Sequence, residues 1–299
     1  MPNSVLPHII RLQGGLGNQM FQYAFGMALA QRTKRPVVYD MAFFEQGNGE
    51  HVSRRSELHV FGIEPDRASQ THIERLLDEH SPWRSRLARQ LPAILPPTTI
   101  RERQPYTFLP ELLYSPLAQY FDGYWQTERY FEALPNEVRK AFTFLPPTDA
   151  HVLRTAAAIE ATTSISLHVR RGDYTSHAAA QRYFVTCGVD YYQGAMAHML
   201  NQLPQAEFFV FSDDTAWARK HLPALASLHF VEGNHGDRSP ADMYLMSRCK
   251  HHIIANSSFS WWGAWLGSWP DNVVIAPIRW LRDPAIPTPD LLPHRWIRC

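Results

Sequence analysis

"SISLHVRRGDY", Ser164 to Tyr174, is the stretch on which the fold turns. An uncharged run rich in branched residues ends abruptly in two arginines, a glycine and an aspartate. An apolar run of this length, closed by charge, reads as a strand buried on both faces, as in parallel sheets covered by helices. The pattern continues on either side. A helical pattern over 149–162 precedes the run. After it come a helix at 190–203, "EFFVFSDD" (207–214), a helix at 215–222, "LHFVEG" (228–233), a helix at 240–249, "HHIIANS" (251–257), a helix at 258–267 and "NVVIAP" (272–277). Such strict alternation predicts an α/β fold with a parallel, Rossmann-like sheet.

Toward the N-terminus, "HIIRL" (8–12), a helical pattern from Asn18 to Thr33 and "PVVYD" (36–40) make a second β-α-β beginning. From 41 to about 103 the pattern is irregular, with one helix near 71–80 and a proline-rich stop, before a strand at "QYFDGYWQ" (119–126). The expectation is two domains: 1–148, looser and carrying the glycine loop, and 149–299, the more regular. With 299 residues, 45% of them hydrophobic and 19% charged, the chain is long enough for two cores.

Composition excludes several classes. A net charge of +1 argues against a nucleic-acid binder, although 25 of the 29 basic residues are Arg, the side chain suited to forked contacts with phosphate. Three widely spaced cysteines, Cys187, Cys249 and Cys299, support neither a disulfide framework nor a zinc site. No stretch approaches the roughly 20 apolar residues of a membrane helix, and no signal-like segment opens the chain. A cytoplasmic location is expected. "PWRSRLARQL" (82–91) is either a solvated helix, the commoner case, or a basic amphipathic helix resting weakly on a membrane surface.

In open α/β sheets ligands sit beyond the carboxyl ends of the strands, and four strand ends stand out here. The first carries Gly14, Gly15 and Gly17, then Asn18 and an amphipathic helix. It is either a tight turn or a place where backbone N–H groups approach an anion or a sugar oxygen. "GLGNQM" also approaches the dinucleotide fingerprint, with Asp40 placed 23 residues after Gly17, so an NAD-linked oxidoreductase is a rival; Met20 in place of the third glycine weakens it. The second, "HVRRGDY", puts His168 and Arg170 on one side of a strand, where buried cations call for an anion or a carboxylate, and Asp173 is placed to hold an arginine. The third is "FSDD". The fourth, "NSSFS", offers Ser257, Ser258 and Ser260 at a helix start; a cap needs one hydroxyl, so three favour a phosphate cradle over a simple cap. Neither a P-loop nor an aspartate pair spaced for metal-diphosphate binding occurs, which suggests a diphosphate neutralised by the protein itself.

"GGLGNQMFQYAFG" (14–26), "HVRRGDY" (168–174) and "DMYLMSRCKHHIIANSSFSWWGAWLG" (242–267) closely resemble the α1,2-fucosyltransferase family in order and spacing. More distantly they are similar to α1,6- and protein O-fucosyltransferases. The resemblance implies a GT-B architecture, two Rossmann-like domains facing a cleft. It also implies inverting transfer of L-fucose from GDP-fucose to the 2-hydroxyl of a terminal galactose, with no metal or other cofactor. It places His168 near guanine, Arg170 on the diphosphate, Asp242 at the guanine edge, Ser257, Ser258 and Phe259 around the phosphates, with Gly15 and Gly17 also on the donor, and Asn18 at the reacting fucose and acceptor. For the general base it leaves Asp173 first, with Asp40, Glu128, His177 or no base as alternatives. The acceptor would be a galactose-terminated oligosaccharide or a lipid-linked glycan in a bacterial cell. A GDP-sugar-binding module without catalysis would use the same binding residues.

Overall fold

The computed structural model describes residues 5–45, 56–77, 97–172, 178–225, 227–234, 236–267 and 269–299. The chain forms two compact units, one of residues 1–143 with 289–291, the other of 144–288 with 292–299.

The first unit is built on β1 (His8–Arg11), α1 (Leu16–Thr33), β2 (Val37–Asp40), α2 (Gln70–Leu76), β3 (Thr99–Arg101), β4 (Tyr120–Asp122) and α3 (Pro135–Ala141). Its strands form a four-stranded parallel sheet in the order β2-β1-β4-β3. Met20, Phe21, Ala24, Phe25 and Ala28 repeat at helical spacing along α1 and are buried, with Phe25 stacked on Trp125 at 4.9 Å between ring centroids. Strand β3 has only three residues in a polar stretch, too short for an alternating pattern to announce it.

The second unit holds α4 (Ala150–Glu160), β5 (Ser164–Val169), α5 (Val189–Gln202), β6 (Glu207–Ser212), α6 (Thr215–His221), β7 (Leu228–Val231), α7 (Pro240–Arg248), β8 (His251–Ile253), α8 (Ser258–Leu266), β9 (Val274–Ala276) and β10 (Ile297–Arg298). The six strands run parallel in the order β10-β9-β8-β5-β6-β7. Alternation sorts the core into two layers. Ile165, Leu167, Val169, Phe208 and Val210 pack with Tyr192, Met196 and Met199 of α5. Phe209 and Phe211 pack on the opposite face with Val152, Ala156 and Ile159 of α4 and Leu245 and Met246 of α7. Both faces are covered, so the strands carry nearly continuous apolar runs. Among the described residues no helix is long and apolar enough to cross a membrane, and the basic 82–91 segment lies outside them.

Candidate functional site

Strands β5 and β8 are direct neighbours with Leu167 opposite Ile253, so the segments after Val169 and Ile253 leave the same edge of the sheet side by side. His168, near the end of β5, is 5% exposed and its Nδ1 has no hydrogen-bond partner. Burial, followed by Asp213 acting the other way and Arg170 reinforcing it, brings its pKa down to about 4, so the imidazole is neutral near pH 7. Its ring centroid lies 6.0 Å from that of Phe259, in the first turn of α8. Arg170 follows, its Nη1 2.9 Å from Asp213 Oδ2, while Asp213 Oδ1 accepts a hydrogen bond from the Arg171 backbone N–H at 2.8 Å. A Cβ at Gly172 would stand 2.9 Å from Asp213 Oδ2, so only glycine lets the β6 exit come this close. Arg171 turns elsewhere, 4.1 Å over the Trp217 ring and 3.5 Å from Asp214 Oδ2, and Asp214 caps α6 through the Trp217 N–H. The "FSDD" end thus supplies the carboxylates that hold both arginines. Asp173 and His177 lie outside the described residues.

At the β8 end, Ser257 is the N-cap of α8 and its Oγ accepts from the Phe259 N–H at 3.3 Å. Ser258 opens the helix beside it. Ser260 does not belong to a cradle: it is 1% exposed and its hydroxyl donates to the carbonyls of Ala255 and Ser257, both at 3.4 Å. Asn256 is fully buried, its Nδ2 donating to the carbonyls of Val185 and, at 3.0 Å, Trp280. The run "NSSFS" therefore divides its labour, with Asn256 and Ser260 fastening the turn and Ser257 and Ser258 at the helix start. Trp261, Trp262 and Trp265 anchor that start in the core.

Asp242 lies in the first turn of α7, where its Oδ1 accepts from Asn234 Nδ2 at 2.7 Å. Burial pushes its pKa up to about 7, with the Asn234 hydrogen bond opposing the shift. A carboxyl poised there exchanges its proton near neutrality.

In the first unit, Gly15 is the N-cap of α1 and gives no side-chain cap, and Gly17 is buried within its first turn. Gly14 is the residue that needs to be glycine, with φ +81° and with Asn18 Nδ2 only 2.5 Å from where a Cβ would stand. The Asn18 carbonyl oxygen accepts from Gln126 Nε2 at 2.7 Å. Buried Gln19 donates to the Gly14 carbonyl at 3.0 Å and accepts from the Glu57 N–H at 2.9 Å, while buried Gln22 accepts from the Gln13 N–H at 3.0 Å and donates to the Gly123 carbonyl at 2.9 Å. Three amide side chains thus fix the loop. Asp40 has both oxygens engaged, Oδ1 by the Ala42 N–H at 2.9 Å and Oδ2 by the Tyr120 hydroxyl at 2.6 Å. Glu128 begins a one-turn helix capped by Thr127. Sequence reasoning singled out "FSDD" but not the role of its Asp213 as partner of the arginines, and it missed Asn234 and Gln126, which carry no local motif.

Known proteins bear on this arrangement. An alpha-1,2-colitosyltransferase of Escherichia coli is 32% identical over 297 residues, covering 97% of this chain and 98% of the relative. A mouse (Mus musculus) galactoside 2-alpha-L-fucosyltransferase, Sec1, is 27% identical over 267 residues, covering 86% of this chain and 63% of its own length. In structure, a GDP-bound mutant of Arabidopsis thaliana FUT1 matches with a TM-score of 0.50 at 14% identity, over 90% of this chain and 70% of that one, a likeness of fold. The sequence profile of Glycosyl transferase family 11 matches residues 110–297, a span that includes the β5 exit, α7 and the start of α8. With that match and the full-length bacterial relative, the chain belongs to glycosyl transferase family 11.

Proposed function

We propose that this glycosyltransferase moves L-fucose from GDP-fucose to the 2-hydroxyl of a terminal galactose, with inversion and without a metal ion, on a GT-B scaffold. The observation that carries this reading is that a neutral histidine 6.0 Å from Phe259, the arginine two residues after it and a serine-capped helix start all lie at the exits of the adjacent parallel strands β5 and β8. In the reaction, the bond from fucose C1 to the diphosphate oxygen breaks, the galactose O2 bonds to C1 from the opposite face, and the hydroxyl proton departs. Negative charge grows on the leaving diphosphate. Arg170, held by Asp213, and the N–H groups at the start of α8 are the donors suited to it, supplying charge compensation that a metal provides elsewhere. Asp242, ionised, accepts from the Watson–Crick edge of guanine, and neutral His168 offers a base-facing ring without adding charge. Asn18 contacts the reacting sugars. Asp173 stays the first proposal for a base, with a dissociative transfer needing little base assistance.

The test is incubation with GDP-fucose and lactose in excess EDTA, with fucosyllactose as product. Transfer under these conditions supports the reading; activity that appears only with added Mg²⁺ removes its metal-free part, and GDP binding without turnover leaves a binding module. The colitosyl relative gives a second donor reading, so GDP-colitose belongs in a parallel arm; a preference for it would reassign the donor.

A further inference from the structure

Strand β4 ends at Asp122, and the four residues after it, Gly123 to Gln126, lead from the sheet to the glycine loop. Tyr124 stands out in solvent, Trp125 is buried with its ring stacked on Phe25 and edge-on to Phe121 and Tyr130, and Gln126 donates to Asn18. The backbone that turns Trp125 inward has a φ of +55°. A bulky side chain enters that left-handed region only where its surroundings over-determine it, and such residues cluster at functional sites.

The surroundings come from β3. Glu102, the residue after that strand, extends its pairing by one more bond, with its N–H donating to the Asp122 carbonyl at 3.0 Å. Its side chain then follows the β4 exit: Oε2 accepts from the Tyr124 N–H at 2.7 Å and Oε1 from the Trp125 N–H at 3.1 Å. Two successive N–H groups on one side chain call for two acceptor oxygens, which a carboxylate has and a carboxamide has not. Burial pushes the Glu102 pKa up, with these two hydrogen bonds opposing the shift. From the other side Gln22 donates to the Gly123 carbonyl at 2.9 Å, and the Thr127 N–H closes on the Trp125 carbonyl at 2.9 Å. Trp125 is thus gripped at its N–H, its ring and its carbonyl, and the next side chain along is the one that reaches Asn18. We infer that Glu102 is a positioning residue: by holding the N–H groups of Tyr124 and Trp125 it keeps Trp125 left-handed and so aims Gln126 at Asn18. The inference rests on the transferase reading for the place of Asn18 at the reacting sugars, whereas the link from Glu102 to Gln126 does not.

The experiment compares the full wild-type chain with Glu102→Gln, which removes one acceptor at constant shape, and Glu102→Asp, which draws the carboxylate back by one methylene. One readout is water exchange of the Gln126 side-chain amide, followed by NMR on ¹⁵N-glutamine-labelled protein and assigned by its loss in Gln126→Met. The other is the initial rate of transfer from GDP-fucose to lactose, alone and in the Gln126→Met background, with a melting temperature for every protein. Exchange about tenfold faster and turnover about tenfold lower are expected in both variants, since a lost hydrogen bond to a charged group is worth at least that factor. GDP affinity should stay unchanged, and the turnover loss should vanish in the Gln126→Met background. A purely structural glutamate would lower turnover equally in both backgrounds. That result, or unchanged amide exchange or unchanged turnover in the folded variants, overturns the proposal. The two readings fail separately: faster amide exchange in the variants of a protein inert toward GDP-fucose keeps the link to Gln126 and sinks the transferase, whereas wild-type transfer with an amide that neither variant loosens does the opposite.

Discussion

Asp213 pairs with Arg170, its Oδ2 2.9 Å from Nη1, while the other oxygen of the same carboxylate takes the backbone N–H of the next residue. One side chain thereby fixes both the direction of a guanidinium and the path of the chain that carries it. The side chains are 30% and 24% exposed, and a pair so open to water contributes about 1 kcal/mol or less to stability. Its effect is orientation.

Replacing Arg170 with Ala is therefore expected to lower kcat about 10²–10³-fold while leaving the fold intact, the usual loss for one donor to a developing anion. Asp213→Asn still accepts from the Arg171 N–H but gives up the charge, and a smaller fall, about tenfold, should follow. Because the aspartate acts through the arginine, the double variant should be no slower than Arg170→Ala alone. Initial rates with GDP-fucose for the four proteins decide it; additive losses would mean that Asp213 has a role of its own.

Asp242 gives a pH signature. The unfolded carboxyl releases its proton near pH 3.8 and the folded one near 7, so between these values the folded chain holds a proton that the unfolded chain has lost. The stability this group contributes is complete below about pH 4 and is lost as pH rises toward about 7. His8, His168 and His252 act oppositely, brought down to about 4, 4 and 3 by burial, so their contribution is present above about pH 6.5 and disappears as pH falls. Asp242→Asn leaves the histidines in place. Its melting temperature relative to the wild type should therefore climb between about pH 4 and 7 and then level off, and a flat difference in calorimetric scans would contradict the buried carboxyl. If the ionised form grips guanine, GDP should also bind more tightly at about pH 8 than at about pH 6, with release of a proton that the Asn variant does not show.

The second unit was legible because its physics is local. A strand buried on both faces must be apolar throughout, and a helix laid on it must repeat at helical spacing, so β5, β6 and β8 and the helices between them announce themselves. Arg170 and Ser257 were visible too, since charge after an apolar strand and hydroxyls before an apolar helix are local signals. The serines could not be told apart by sequence: Ser260 lies one helical turn beyond the cap and points inward, a difference set by tertiary packing. Nor was the partner of the arginines visible, because Asp213 reaches them from a neighbouring strand 42 residues away in the chain. Strand β3 follows from its register with β4, which a three-residue polar strand does not encode.

Asn256 should matter for stability rather than for chemistry. Its amide joins the carbonyls of Val185 and Trp280 to the turn that positions α8, and its oxygen accepts from the Cys187 thiol at 3.6 Å. Truncation to Ala removes the amide's bond to the Val185 carbonyl and one of two to the Trp280 carbonyl, which keeps the Val185 N–H at 3.3 Å, at a cost of about 2–3 kcal/mol. A fall in melting temperature of roughly 5–10 °C is expected. A wild-type melting curve for this variant would show that the carbonyls find water.

Gln126 tests the glycine loop. Its Nε2 donates to the Asn18 side-chain oxygen at 2.7 Å, and this contact fixes the orientation of the Asn18 amide. Gln126 is 8% exposed, so water does not readily replace it. Gln126→Met keeps the shape and removes the donor, and a turnover about tenfold lower with unchanged GDP affinity is expected, because the residues proposed for guanine and the diphosphate, His168, Arg170, Asp242 and Ser257, lie on other elements. Gly14→Ala should act on the same amide from the other side, its Cβ occupying the place of Asn18 Nδ2. If both changes work through Asn18, each loses its effect in an Asn18→Ala background. Losses that persist there, or that follow melting temperature across the series, would assign Gln126 to the fold and leave Asn18 oriented by something else.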